Sequence, residues 1–199
     1  MEFKEVVKAR YATKEFSNRK VSENLMNELK EIIRLSASSS NVQPWRIKIV
    51  SDSKTKELLR PVSMDQKQIT TCSHLLVFLA DIALNKRIDS LEKLMVKSGS
   101  LPASAKSFND NSRNAFGNLN TTRKISWASK QTYIALSNAI NGAKSLGFDS
   151  CPMEGFSPKD YHRILKLPNN LIPTALVTVG YAVDKQRSKI RFSGKDVFI

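Results

Sequence analysis

The sequence predicts an α+β fold, a short mixed β-sheet flanked by helices, in one domain spanning residues 1–199. Three observations predict it. Strand-like segments are few: Arg46–Val50, His74–Ile82 and Thr174–Ala182. Helical periodicity runs through much of the remaining chain, so helices and strands are mixed. A hydrophobic fraction of 41% in 199 residues supplies one ordinary core and fits neither a disordered nor a fibrous chain.

The elements follow in order. Phe3 to Tyr11 reads as a short helix with Phe3, Val6 and Val7 on one face. Ser22 is an N-cap for a helix running to about Ser36, with Leu25, Leu29, Ile32 and Ile33 as its apolar stripe. Arg46–Val50 alternates as a strand does, and Ser53–Leu59 reads as a short helix stopped by Pro61. His74–Ile82 is too continuously apolar for a half-exposed strand, which makes it a central one. From residue 85 a helical beginning (Ile88, Leu91, Leu94, Met95) passes into a Ser/Asn/Gly-rich section. There the reading is a mobile helix–loop excursion over about 95–120.

Thr122 to Leu146 is the longest helix, ended by Gly147. Its seam is Ile125, Ala128, Thr132, Ala135, Ala139, Gly142 and Leu146, mostly small residues that let another backbone come close. The pattern fits a helix buried in its own core as well as it fits a subunit interface.

Composition excludes several classes. The longest apolar run, Leu75–Ala80, is too short to cross a bilayer as a helix, and Met1–Glu5 carries charges where a signal peptide needs an apolar stretch. The expectation is a cytoplasmic protein with no membrane partner. Cys72 and Cys151 read as reduced, buried thiols. His74 and His162 are far apart, so no metal is expected. A net charge of +14 raises nucleic acid as a partner. The cations are spread along the chain and no nucleic-acid motif accompanies them, so the sequence argues against that partner. The charge also suits solubility or attraction of small anions.

No GxGxxG follows a strand, and no GxSxG elbow occurs. Gly142 and Gly147 have P-loop spacing, but Phe148-Asp149 stands where Lys-Ser/Thr is required. Difficult chemistry in this chain would therefore belong to a cofactor held by something other than a glycine loop. Three features point to an anionic, partly aromatic ligand. Arg10 and Lys14 are two cations four residues apart. Ser38-Ser-Ser-Asn-Val-Gln-Pro-Trp45 gathers hydroxyl and amide groups just after a helix. In Lys185-Gln-Arg-Ser-Lys-Ile-Arg191 a cation recurs at every second position, which an extended backbone would turn to one side to meet a phosphate.

Five blocks, in order and spanning nearly the whole chain, resemble the FMN-dependent nitroreductases, in their NAD(P)H nitroaromatic and quinone reductase branch. They are Arg10–Phe16, Ser38–Trp45, Ser73-His74 before a strand, Pro152–Gly155 and Lys189–Arg191. The resemblance implies a domain-exchanged homodimer whose long central helices pack together and whose Asp196–Ile199 crosses to the partner as a strand. It also implies that the 95–120 excursion lies near the substrate pocket.

The implied cofactor is FMN, with NADH or NADPH as donor. Arg10, Lys189 and Arg191 would hold its phosphate, with Tyr11 and Ala12 beside it, and Lys14 would reach the N1/O2 edge of the ring, where reduction places negative charge. Pro152, Met153, Glu154 and Gly155 would pass beside the ring, the Glu154 N–H toward N5, so that no side chain is assigned as catalytic. Ala37, Ser38, Ser39 and Asn41, with Gln131, would contact the FMN held mainly by the other subunit.

Ala12 departs from the common serine and lacks its hydroxyl. Asp65, near Gln68, stands where an asparagine usually meets the ring edge, and there it loses an amide donor and adds a charge. The function implied is ping-pong hydride transfer from NAD(P)H to nitroaromatic, quinone or similar small-molecule acceptors. The alternatives are other flavin chemistry on the same fold (dehalogenation, pteridine or flavin reduction) and a basic nucleic-acid-binding protein.

Overall fold

A computed structural model describes all 199 residues. The sheet has four strands in the order β1-β2-β4-β3: β1 (Trp45–Val50), β2 (His74–Asp81), β3 (Asp149–Met153) and β4 (Leu171–Gly180). Every pairing is antiparallel, which corrects the expected mixed sheet. The strand missed in the sequence is β3, five residues with Pro152 inside it. Proline cannot donate to a ladder, and the fold tolerates it because β3 is an edge strand.

The continuous apolar run of β2 comes from burial on both faces. Leu76 and Phe78 face one core, with Leu29, Ile33, Ala135, Ala139, Ala143 and Val177. Leu75, Val77 and Leu79 face a second, with Leu59, Ile69, Cys151, Met153 and Tyr161. The first core lies under α2 (Glu23–Arg34) and α7 (Thr121–Ser145), the second under α3 (Ser53–Leu59), α4 (Gln68–Thr71) and α8 (Pro158–Ile164). Ser22 caps α2 as expected, accepting from the Leu25 N–H.

The small-residue seam of α7 is filled inside the chain. Ala128, Thr132, Ala135, Ala139 and Gly142 are buried here, and a Cβ on Gly142 would lie 3.0 Å from Ile32 and 3.1 Å from Leu29. The seam therefore packs against α2 and the sheet of its own chain. In α1 (Phe3–Ala9), only Val6 of the expected apolar face is buried.

Residues 95–120 differ from expectation. Helices α5 (Leu84–Lys97) and α6 (Pro102–Ser112) are followed by a π-helical turn over Arg113–Gly117. Arg113 satisfies the polar stretch, pairing with Asp89 (2.8 Å), Glu92 (2.9 Å) and Asp110 (2.7 Å), while Phe116 stacks on Trp127. In the single chain the C-terminal residues take a local form. Gly194–Val197 form a short helix, α9, whose capping box is closed by Ser193 and Asp196. No helix is long and apolar enough to cross a membrane.

Candidate functional site

The segment after α1 is stitched between two strand ends. Ala12 pairs with Ser150 at the start of β3, and Phe16 pairs with Ala182 just beyond β4. Asp184 accepts from the backbone N–H groups of Lys14 (3.1 Å) and Glu15 (3.5 Å), and the Asp184 carbonyl accepts from the Tyr11 hydroxyl (2.8 Å). The tail that follows folds back, so that the Lys189 ammonium donates to the Arg10 carbonyl.

This arrangement encloses a cavity of about 530 Å³ lined by Arg10, Tyr11, Ala12, Lys14 and the tail from Asp184 to Arg191. Its cations are Arg10, Lys14, Lys185, Arg187, Lys189 and Arg191, against the single carboxylate of Asp184. Burial, and then Arg191, hold the Arg10 guanidinium below its ordinary value. Burial, Arg10 and Arg191 do the same to Lys189. Cations that depress one another lack counter-charge, and a phosphate is the kind of group that relieves them.

Beside the cavity, the Lys14 ammonium lies 3.8 Å from the Cys151 sulfur, and the Gln68 amide 4.0 Å from the same atom. Cys151 is buried, its thiol pushed up by desolvation. Lys14 and Gln68 thus flank the strand residue that leads into Pro152–Gly155. The Gln66 amide donates to the Gly155 carbonyl (2.9 Å) and accepts from Gln68 (3.0 Å). The Asp65 carboxylate turns instead toward Arg60. Gln66 was not singled out from the sequence. Met64 and Asp65 both take left-handed backbone, and nothing in the residue types says which neighbour that turn presents inward. At the neighbouring residue, the Tyr133 hydroxyl donates to the Glu154 carboxylate. Tyr133, Leu136, Pro152, Met153, Glu154 and Ala175 line a second cavity of about 190 Å³. Tyr133 was also unmarked in the sequence, where it reads as an outward residue of a long helix.

The polar tract forms a separate set. Ser40, Asn41 and Gln43 all have left-handed backbone, a conformation that costs non-glycine residues roughly 1–2 kcal/mol each. The surrounding groups hold it. Ser38 accepts from the Gln43 N–H (2.9 Å), and the Gln43 amide donates to both the carbonyl (3.1 Å) and the side chain (3.0 Å) of Asn41. Arg87 donates to the Gln43 carbonyl (2.7 Å). Gln131 on α7 accepts from the Ser39 N–H (2.9 Å), so Gln131 and the tract do meet. Ala37 and Ser39 remain exposed. None of Ala37, Ser38, Ser39, Asn41 or Gln131 lines the cavity around Arg10.

The Nitroreductase family profile matches residues 7–181. A Staphylococcus haemolyticus protein named "Putative NAD(P)H nitroreductase SH0546" is 36% identical over 200 residues, covering 94% of this chain and 92% of its own length. Among solved structures, one described as "a putative NAD(P)H:FMN oxidoreductase" from Staphylococcus epidermidis superposes with a TM-score of 0.93 at 22% identity. It covers 98% of this chain and 94% of its own. Another, described as "a putative nitroreductase in complex with FMN" from Exiguobacterium sibiricum, gives 0.90 at 21% identity, with 99% and 96% covered. At those identities the two structures speak for the fold.

Proposed function

The chain belongs to the nitroreductase family, and from that premise we propose a homodimeric, FMN-dependent oxidoreductase that takes hydride from NADH or NADPH and serves a small acceptor such as a nitroaromatic or quinone. The observation that carries this reading is the uncompensated cation cluster of Arg10, Lys189 and Arg191, joined through Lys14 and Cys151 to the Pro152–Gly155 strand end. A phosphate fits the first part of that arrangement, and a flat ring fits beside the second.

In this reading Arg10, Lys189 and Arg191 bind the FMN phosphate, and Tyr11 and Ala12 form its wall. Lys14 lies toward the ring edge that gains negative charge on reduction, a fixed cation in a partly buried setting. Gln66 and Gln68 hold the turn that faces Gly155, and Tyr133 fixes the Glu154 carboxylate so that the local backbone N–H groups keep their direction. When bound, FMN supplies the two-electron carrier, which no side chain of this chain can replace. Donor and acceptor would use the same place in turn, the protein contributing orientation rather than an acid or base.

The dimer belongs to the same proposal. The tract around Ser38–Asn41 is built, strained and bonded to Gln131, yet lies outside the cavity of its own chain. A second copy would bring it to the neighbouring cofactor. The exposed Ile190, Phe192, Phe198 and Ile199 are apolar surface that such a copy would cover.

The visible absorption spectrum of the purified protein, saturated with FMN and freed of excess, tests the reading. A bound flavin band that bleaches anaerobically with NADH or NADPH supports it, and a protein that retains no flavin overturns it. Light scattering on the same sample reads the dimer.

A further inference from the structure

The Ser73-His74 pair has no part in the site above, and it borders a different cavity. That cavity measures about 520 Å³ and opens beside the edge strand β1, lined by Lys20, Glu23, Lys30, Ile49, Ser51 and His74, with Val21, Met26 and Ser73 behind them. It shares no residue with the cavity around Arg10.

Its lining gathers two lysines and an imidazole with a single carboxylate, that of Glu23. Ser73 is buried, and its hydroxyl oxygen accepts from the Val21 N–H (2.8 Å) and lies 3.0 Å from His74 Nδ1. Where the hydroxyl donates its proton to Nδ1, the imidazole carries its own proton on Nε2. Nε2 has no hydrogen-bond partner within the chain. Lys20 pairs with no carboxylate, and the Lys30 ammonium is held only by the Asn27 side chain (2.9 Å). Glu23 is the one acidic residue in the lining and bridges to neither lysine. Lys56, buried behind, donates to the carbonyls of Cys72 (2.6 Å) and Thr70 (3.2 Å). Burial, and then the charges of Lys20, Lys56 and Lys30, hold the imidazole below its ordinary value.

We propose that this cleft is a second ligand site, for a phosphate monoester whose oxygens meet Lys20, Lys30 and His74 Nε2. The cleft is larger than a phosphate alone needs, and Ile49, with Val21 and Met26 beneath it, offers an apolar floor to the rest of the ligand. The phosphoryl group could be free phosphate or part of a nucleotide. The site stands independently of the proposed oxidoreductase activity.

The chain has two histidines, so ring NMR signals resolve His74 from His162, with His162→Gln fixing the assignment. Protein loaded with FMN and freed of excess is titrated from pH 5 to 8 with 5′-AMP, adenosine, inorganic phosphate, or sodium chloride at matched ionic strength. FMN retained through that step fills the Arg10 cavity, and no free FMN, itself a phosphate monoester, is left to compete at the cleft. The His74 readout does not depend on flavin, so failure of one reading leaves the other intact.

The expected result is that AMP and phosphate move the His74 midpoint upward by about half a unit, saturably, because a bound dianion favours imidazolium. His162 stays in place, and adenosine and chloride do nothing. Each of Lys20→Gln and Lys30→Gln weakens binding about fivefold, flavin content unchanged. Tighter binding of AMP assigns an organic monoester, and equal binding assigns the free anion. An unmoved His74, equal shifts at both histidines, a shift reproduced by chloride, or one that survives the double lysine variant overturns the proposal.

Discussion

Tyr133, in the middle of α7, donates its hydroxyl proton to the Glu154 carboxylate just past the end of β3. One bond thus fastens the longest helix to the strand end on which the proposed site depends. Burial, and then the Glu154 carboxylate, push the Tyr133 phenol up, so it remains a donor throughout the working pH range.

Tyr133→Phe removes that donor and keeps the ring. A hydrogen bond to a charged group at a half-exposed position is worth about 1 kcal/mol, which lowers Tm by about 2–4 °C in a chain of this size. Differential scanning calorimetry checks it, and an unchanged Tm would mean that the pair contributes no stability.

Arg10→Ala and Lys189→Ala each remove one cation from the cluster proposed to hold phosphate. Charge-assisted contacts of this kind are worth about 1.5–3 kcal/mol, so FMN affinity should fall roughly 10- to 100-fold. Fluorescence quenching of FMN measures it. Raising the salt should weaken wild-type binding more than that of either variant, because screening acts on charge that the variants lack. Wild-type affinity in Lys189→Ala would remove Lys189 from the phosphate site.

Burial pushes the Cys72 thiol up to about 11. An unfolded thiol titrates near 8.5, so between those values the folded chain holds more protons than the unfolded one. The contribution is fully present below about pH 8.5 and is lost as pH rises toward the folded value, amounting to about 2 kcal/mol by pH 10. Lys56, lowered by burial, acts with the opposite sign in wild type and variant alike. Urea midpoints at pH 7 and pH 10 should therefore fall more steeply for wild type than for Cys72→Ala. Parallel slopes would refute the assignment.

Gly180 ends β4 where the Phe16 ring crosses it. A Cβ there would lie 2.8 Å from Phe16 Cδ1 and 3.2 Å from the Ser73 backbone nitrogen. Gly180→Ala should cost about 1–3 kcal/mol through overpacking, read as a lower Tm. Gly194→Ala, whose nearest neighbour is 3.9 Å away, should stay within about 0.5 kcal/mol of wild type. An undisturbed Gly180→Ala would show that Phe16 can step aside.

Elements with a strong period were legible before folding. The Leu29 and Ile33 stripe of α2, the doubly buried run of β2 and the small seam of α7 are all written in short-range spacing, and each is an element of the structure. The strand β3 was not legible, since Asp-Ser-Cys-Pro-Met neither alternates nor runs apolar, and its pairing with β4 is what makes it a strand. Residues 101–117 show no clear helical stripe. They become helical where Arg113 gathers three carboxylates from α5 and α6.

By itself the sequence determined the α+β class, the main helices, the two central strands and the motif blocks that mark the family, because each lies within a few turns or a few alternating residues. The tertiary structure decided the rest. It set the all-antiparallel order, turned the C-terminal residues into a capped helix, placed Gln66 rather than Asp65 against Gly155, and brought Lys189 to the Arg10 carbonyl across 179 residues of chain. Local propensity is blind to those outcomes. They depend on which distant backbone and side-chain groups satisfy one another once two cores have closed around the sheet, and that choice is made only in the folded chain.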